Sequence, residues 1–195
     1  MTSEPAELRL FVAIELPPEV LDALRALQSE LRRQGLEQLR WVRPDGIHLT
    51  LKFLGETPAA RVPAIAQAVE QAAEGVPPHE LSLGALGTFG SRRNPRVLWV
   101  NLAGDLEPLR RLQQQIEKSL AEAGFPNEAR AFSAHLTLAR VRPETARELA
   151  ARLAQAVQSV TAPPGHIPVR AVSLMRSQLG PSGAVYTCLH SVPLT

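Results

Sequence analysis

The chain predicts an α+β fold of two lobes, each a small antiparallel sheet with helices outside, and an active-site cleft between them. Three observations predict it. Stretches that alternate apolar and polar residues, the period of a strand, are interleaved with stretches carrying apolar residues at helical spacing. The order of these stretches starts over near residue 95. The tetrapeptide His-Leu-Thr-Leu occurs at residues 48–51 and again at 135–138, and its copies hold two of the chain's five histidines.

Taken in order, Leu8, Leu10, Val12 and Ile14 alternate and read as one face of a strand, which Pro17 and Pro18 stop. Proline is tolerated in a first helical turn, and Val20, Leu24, Leu27 and Leu31 then recur at helical spacing as far as Gly35. Pro44-Asp45-Gly46 is a turn that feeds the first His-Leu-Thr-Leu strand. A helix over about 58–74 has Val62, Ile65 and Val69 as its stripe, and Leu81 to Gly87 reads as a strand. Ser91 to Pro95 is a basic loop before the strand Arg96 to Asn101. The second round brings a helix near 106–123 striped by Leu109, Leu112, Ile116 and Leu120, and closed by Gly124. The second His-Leu-Thr-Leu strand follows, then a helix near 144–159 and strands near 168–175 and 184–190.

His135 lies 87 positions after His48, and Arg96 lies 87 after Arg9. The chain thus reads as one domain over residues 1–195 with pseudo-repeats at about 8–90 and 95–190. Two such units facing each other bring the two histidine strands to a common cleft.

Composition narrows the classes. Apolar residues at 45% suffice for a core, and 21% charged residues is ordinary for a soluble protein. A net charge of +2 permits a polyanionic partner without demanding one. Cys188 is the only cysteine, so no internal disulfide exists and a reducing compartment is expected. The N-terminal stretch has neither the basic start nor the apolar length of a signal or a span, and no membrane-spanning segment is read elsewhere. A cytoplasmic monomer is expected.

On a strand, His48 and Thr50 point one way while Leu49 and Leu51 point the other. Strict alternation gives Lys52 the same side as His48 and Thr50, a cation beside the imidazole. His135 and Thr137 repeat the arrangement. Two imidazoles titrating near neutrality can serve as an acid and a base at once, as displacement at phosphorus requires. Threonine hydroxyls and cations can stabilise charge on the non-bridging oxygens. A single histidine on a half-buried strand is usually structural, but the matched pair is not so easily explained. A metal site is the rival reading; no His-Glu-x-x-His motif or acidic cluster supports it. No cofactor is expected.

The chain resembles the 2H phosphoesterases, named for two His-x-Thr-x motifs, and within them the bacterial RNA 2′,3′-cyclic phosphodiesterases once called 2′-5′ RNA ligases. The resemblance is carried by Arg9 to Pro17, Trp41 to Glu56, Arg96 to Trp99, Phe132 to Arg140 and Ser177 to Gly183. It implies hydrolysis of a terminal ribose 2′,3′-cyclic phosphate on RNA to a 2′-phosphate without metal. It also implies His48 as proton donor to the leaving 3′ oxygen, His135 as proton acceptor from water, and Thr50 and Thr137 as phosphate contacts. By sequence alone the two histidines are near-equivalent. Arg140 matches a family arginine after the second motif, although strict alternation aims it away from His135. An ATP-independent ligase running the same chemistry backwards and a non-catalytic RNA-end binder are the alternatives. No phosphate-binding loop of the GxxxxGK[ST] type occurs, which disfavours an ATP-driven ligase.

The remaining candidates have plainer expectations. His79, His166 and His190 read as loop or surface histidines, and Arg92 and Arg93 as a solvated pair. Phe11 and Trp41 read as core aromatics before base-stacking ones, and Cys188 as a small core residue.

Overall fold

The computed structural model describes residues 7–180 and 183–195; the N-terminal stretch before Glu7 and the pair Pro181-Ser182 lie outside them. Nine strands and four helices follow in the order β1 (Glu7–Ile14), α1 (Pro18–Leu31), β2 (Arg40–Trp41), β3 (Leu49–Pro58), α2 (Val62–Ala73), β4 (His79–Ser91), β5 (Asn94–Gly104), α3 (Leu106–Glu122), β6 (His135–Arg140), α4 (Ala146–Ser159), β7 (His166–Val169), β8 (Ala171–Gly180) and β9 (Gly183–Pro193). They form two antiparallel sheets, one in the order β3-β1-β8-β9 and the other β2-β6-β5-β4-β7. The α+β, two-sheet architecture is as expected.

Helices α2 and α3 cover the first sheet, α3 against β3 and α2 against β8 and β9, while α4 packs on β4 and β5 of the second. The stripes read from the sequence are the buried ones: Val20, Leu24, Leu27 and Leu31 on α1, and Leu109, Leu112, Ile116 and Leu120 on α3. One continuous apolar cluster runs through both sheets and all four helices. Burial of this shared core holds the two sheets in a fixed relation.

The sheets are not the two pseudo-repeats. Strand β4, from the first stretch, pairs with β5 and β7 in the second sheet, and β8 and β9 return from the far end of the chain to extend the first. Helix α3 likewise comes from the second stretch but covers the first sheet. The chain crosses between sheets: β6 pairs with β2 from the first stretch and β5 from the second, while β3 pairs with β1 and is covered by α3.

The offset of 87 also fails along β1 and β5. Thr50 lies opposite Ala13, and Thr137 lies opposite Trp99, which is 86 positions on from Ala13. A one-residue slip moves every side chain to the other face. Arg9 shares the face of Phe11 and Ala13, whereas Arg96 is the extra residue of a bulge in β5, between Val97 opposite Phe89 and Pro95 opposite Gly90, and the two arginines are not counterparts.

Candidate active site

Two matched bulges decide what each histidine strand presents. Val12 faces Lys52 and Ala13 faces Thr50, which leaves Leu51 as an extra residue in β3. Leu98 faces Ala139 and Trp99 faces Thr137, which leaves Leu138 as an extra residue in β6. A bulge of this kind resets the alternation. Leu49, Leu51 and Lys52 are all buried, and Leu136, Leu138 and Ala139 likewise.

Two expectations are reversed by these bulges. Lys52 does not stand beside His48: it turns to the helix side, where its Nζ donates to Glu117 Oε2 on α3 at 2.6 Å and to the Pro126 carbonyl at 2.8 Å. Its side chain is 1% exposed, so it is a buried structural ion pair. Phe53 takes the place expected for Lys52, opposite Phe11 and 60% exposed. In β6 the same shift gives Arg140 the parity of His135 and Thr137, because it lies opposite Val97 just beyond the bulge. The Leu138 carbonyl at that bulge accepts hydrogen bonds from the Val42 amide at 2.9 Å and the buried Gln28 side chain at 3.1 Å.

His48 immediately precedes β3, and its ring stacks on Phe11 with centroids 4.6 Å apart and meets Tyr186 edge-on at 4.9 Å. His135 opens β6 with Phe89 edge-on at 4.8 Å and Trp99 at 6.3 Å. Each aromatic enclosure uses a glycine to let a ring approach. A Cβ at Gly46 would lie 2.9 Å from the Tyr186 ring, and one at Gly87 would overlap that of Trp99. Larger residues there would displace the ring that walls the histidine.

The backbone two residues before it also orients His135. His135 Nδ1 donates to the Ser133 carbonyl at 2.7 Å, which leaves Nε2 to face a ligand. The Gly46 backbone lies close enough to His48 to favour its charged form. Burial among Phe11 and Tyr186 nevertheless pushes the His48 pKa down to about 4, with Gly46 and the Glu15 carboxylate pulling weakly upward. Glu15 is itself held by Ser173, whose hydroxyl donates to it at 2.7 Å. His48 is thus an uncharged imidazole at neutral pH in the ligand-free protein. Thr50 and Thr137 are half-buried, and their hydroxyls have no hydrogen-bond partner among the described residues. Strands β3 and β6 approach one another across the two sheets.

Sequence reasoning missed Phe53, Phe89, Trp99, Tyr186 and Glu15. Phe89 and Tyr186 come from β4 and β9, far from either motif, and nothing local marks them. The plainer expectations divide. His166 is exposed beside Glu80, and Phe11 is buried as a core aromatic would be. Trp41 is half-buried, its Nε1 donating to the Leu36 carbonyl. His79, however, is buried in β4 with Nδ1 on the Pro77 carbonyl, and Cys188 is exposed on β9. Among the described residues no helix is long and apolar enough to cross a membrane, and no three His, Cys, Asp or Glu side chains cluster as metal ligands would.

The sequence matches the family model for LigT like phosphoesterases over residues 14–99 and 102–186. It is 32% identical over 181 residues to the RNA 2′,3′-cyclic phosphodiesterase of Methanothermobacter thermautotrophicus, covering 93% of this chain and 96% of that protein. The protein of the same name from Thermotoga maritima is 27% identical, with 94% of each chain covered. Among solved structures, TT0787 of Thermus thermophilus superposes with a TM-score of 0.75 at 30% identity, covering 96% of this chain and 98% of that one. Escherichia coli LigT in complex with 3′-AMP also superposes with a TM-score of 0.75, at 27% identity over 97% and 99% of the two chains. Matched across both histidine strands and nearly end to end, the chain belongs to the LigT-like phosphoesterase family of the 2H superfamily.

Proposed function

We propose that the protein hydrolyses the 2′,3′-cyclic phosphate at the end of an RNA strand to a 2′-phosphate, using His48 and His135 as acid and base without a metal. One observation carries the reading. Each sheet contributes one histidine and one threonine to the same face: His48 stacks on Phe11, which shares a face of β1 with Ala13 opposite Thr50, and His135 and Thr137 alternate on β6, with His135 held by the Ser133 carbonyl. The names of the relatives support the substrate. The reaction occurs in the cytoplasm and needs no protein partner.

Water attacks phosphorus and passes a proton to His135, while the bond from phosphorus to the 3′ oxygen breaks and that oxygen takes a proton from His48. Thr50 and Thr137 donate to the non-bridging oxygens, while Arg140, on the face of His135 but five residues along β6, adds positive potential without touching the reacting phosphate. Exposed Phe53 offers a ring on which the terminal base can stack. With the 5′-hydroxyl of a second strand attacking phosphorus in place of water and the 3′ oxygen leaving as before, the same two groups join the ends through a 2′-5′ bond.

The donor role requires His48 to gain a proton that burial disfavours. An anionic phosphate between the threonines supplies the opposing charge and raises the histidine's pKa on binding. The pH profiles of kcat/KM and kcat therefore differ, because the first reports the free enzyme and the second the bound complex. Because His48 must be protonated to donate, one limb of kcat/KM is expected near pH 4, the free His48 value, and the corresponding limb of kcat at higher pH. Coincident limbs near the ordinary histidine value of about 6.5 would contradict the burial effect.

The direct test is an oligoribonucleotide with a cyclic-phosphate end, its product identified by mass and by digestion with a phosphomonoesterase. A 2′-phosphate end is expected, at a rate unchanged by EDTA. A 3′-phosphate product, or a rate lost in EDTA and restored by a divalent metal, would overturn the mechanism. Thr50→Ala and Thr137→Ala each remove one hydrogen bond to a charged group, worth about 1.5–3 kcal/mol. Each should slow the reaction roughly ten- to a hundredfold, less than loss of a histidine.

A further inference from the structure

A concavity of about 580 Å³ opens where β2, β5 and β6 end, and four arginines line it: Arg40, Arg96, Arg140 and Arg142, with Glu144. All four are exposed, and none takes part in an ion pair among the described residues. Arg40 and Arg140 are direct cross-strand partners in the β2–β6 ladder, and Arg96 is tied to the next turn by the Val141 amide, which donates to its carbonyl at 2.9 Å. Like charges set directly opposite one another destabilise a sheet. Four guanidinium groups around one hollow thus repel each other unless an anion fills it. Guanidinium forks match phosphate oxygens two at a time.

Position decides which phosphates. The hollow shares β6 with His135, and Arg140 stands five residues along the strand from it. At about 3.3 Å per residue that is roughly 16 Å, too far for the phosphate undergoing reaction and suited to the strand leading to it. An RNA ending in a cyclic phosphate can extend only from the 5′ side of its terminal ribose.

We propose that this hollow is a subsite for the sugar–phosphate backbone of the RNA strand on the 5′ side of the cyclic phosphate, with Arg40, Arg96 and Arg142 as its contacts. The proposal rests on the reading of the protein as an RNA-end phosphodiesterase. Such contacts carry affinity and register without reading sequence.

The test compares a nucleoside 2′,3′-cyclic monophosphate with a single-stranded oligoribonucleotide of the same terminus, on the wild type and on the triple variant Arg40→Gln/Arg96→Gln/Arg142→Gln. The mononucleotide should be hydrolysed equally by both proteins. On the oligonucleotide the variant should show a KM raised at least about tenfold with kcat unchanged. Its dependence of log affinity on log salt should be shallower by about two, at roughly 0.7 per phosphate contact on a single strand. Between 50 and 200 mM salt the variant should then lose roughly sixteenfold less affinity than the wild type. Equal losses on both substrates, or an unchanged KM and salt slope on the oligonucleotide, would overturn the subsite. If the wild type hydrolyses neither substrate, the functional reading fails first. Binding of an unreactive oligoribonucleotide with a 3′-hydroxyl end then tests the hollow alone: the same fall in salt slope supports it, and no fall overturns it. Thermal melting checks folding, and the single Arg142→Gln variant, with about a third of the slope change, replaces the triple variant if that does not fold.

Discussion

Replacing His135 by alanine is expected to lower kcat/KM on a cyclic-phosphate substrate by about 10²- to 10⁴-fold, or roughly 2.7–5.5 kcal/mol of transition-state stabilisation. His48→Ala should cost a similar amount, and the double variant little more than either, because groups acting on one proton relay are not additive. The sizes will not separate the two roles; the residual pH dependence will. In His48→Ala only the acceptor remains, so the residual rate should rise with pH as His135 loses its proton and then level off. In His135→Ala only the donor remains, and the rate should fall as pH increases and His48 becomes neutral. Reversed slopes would exchange the roles, and the low pKa of free His48 makes that a real contest. A loss below about tenfold, or a bell that survives in either variant, would remove the histidine pair from the mechanism. Both rings lie against aromatic neighbours, so each variant needs a melting curve to establish that the loss is chemical.

What the sequence made legible was local. Alternation in β1, the stripes of α1 and α3, and the two His-x-Thr-x strands all follow from periods of two and 3.6 read over a few residues. The histidine and threonine faces were legible for the same reason, since a single leucine separates them and no bulge intervenes. Beyond Thr50 and Thr137 the rule failed at once, because Leu51 and Leu138 drop out of ladders made with strands far away in sequence. Neither bulge carries a glycine or any other local sign. A single unpaired leucine sent Lys52 inward and brought Phe53 out; another gave Arg140 the face of His135. Partner choice was hidden too. Nothing within β4 says that it pairs with β5 and β7 across the expected boundary, nor within β9 that Tyr186 will wall His48. Periodicity gives a strand its faces; only the assembled sheet says which neighbour each face meets.

Glu117→Ala should destabilise the protein by about 3–5 kcal/mol, the cost of leaving one member of a buried ion pair without its partner. The Lys52 ammonium, 1% exposed, would keep only the Pro126 carbonyl, having lost the 2.6 Å contact with Glu117. In a domain of this size each kcal/mol lowers Tm by about 2–4 °C, so a fall of roughly 6–20 °C is expected. Replacing both members, as Lys52→Met with Glu117→Leu, removes the stranded charge and should recover most of the loss, since an apolar pair of similar volume is often neutral or better. Lys52 lies across β3 from the face that carries Thr50 and Phe53, on the side packed by α3. Well below the melting temperature kcat should therefore stay near the wild-type value in the double replacement. A double variant that melts normally but loses activity by a factor comparable to His135→Ala would return Lys52 to the site. A Glu117→Ala protein as stable as the wild type would mean that water reaches the ammonium and that the pair is not buried in solution.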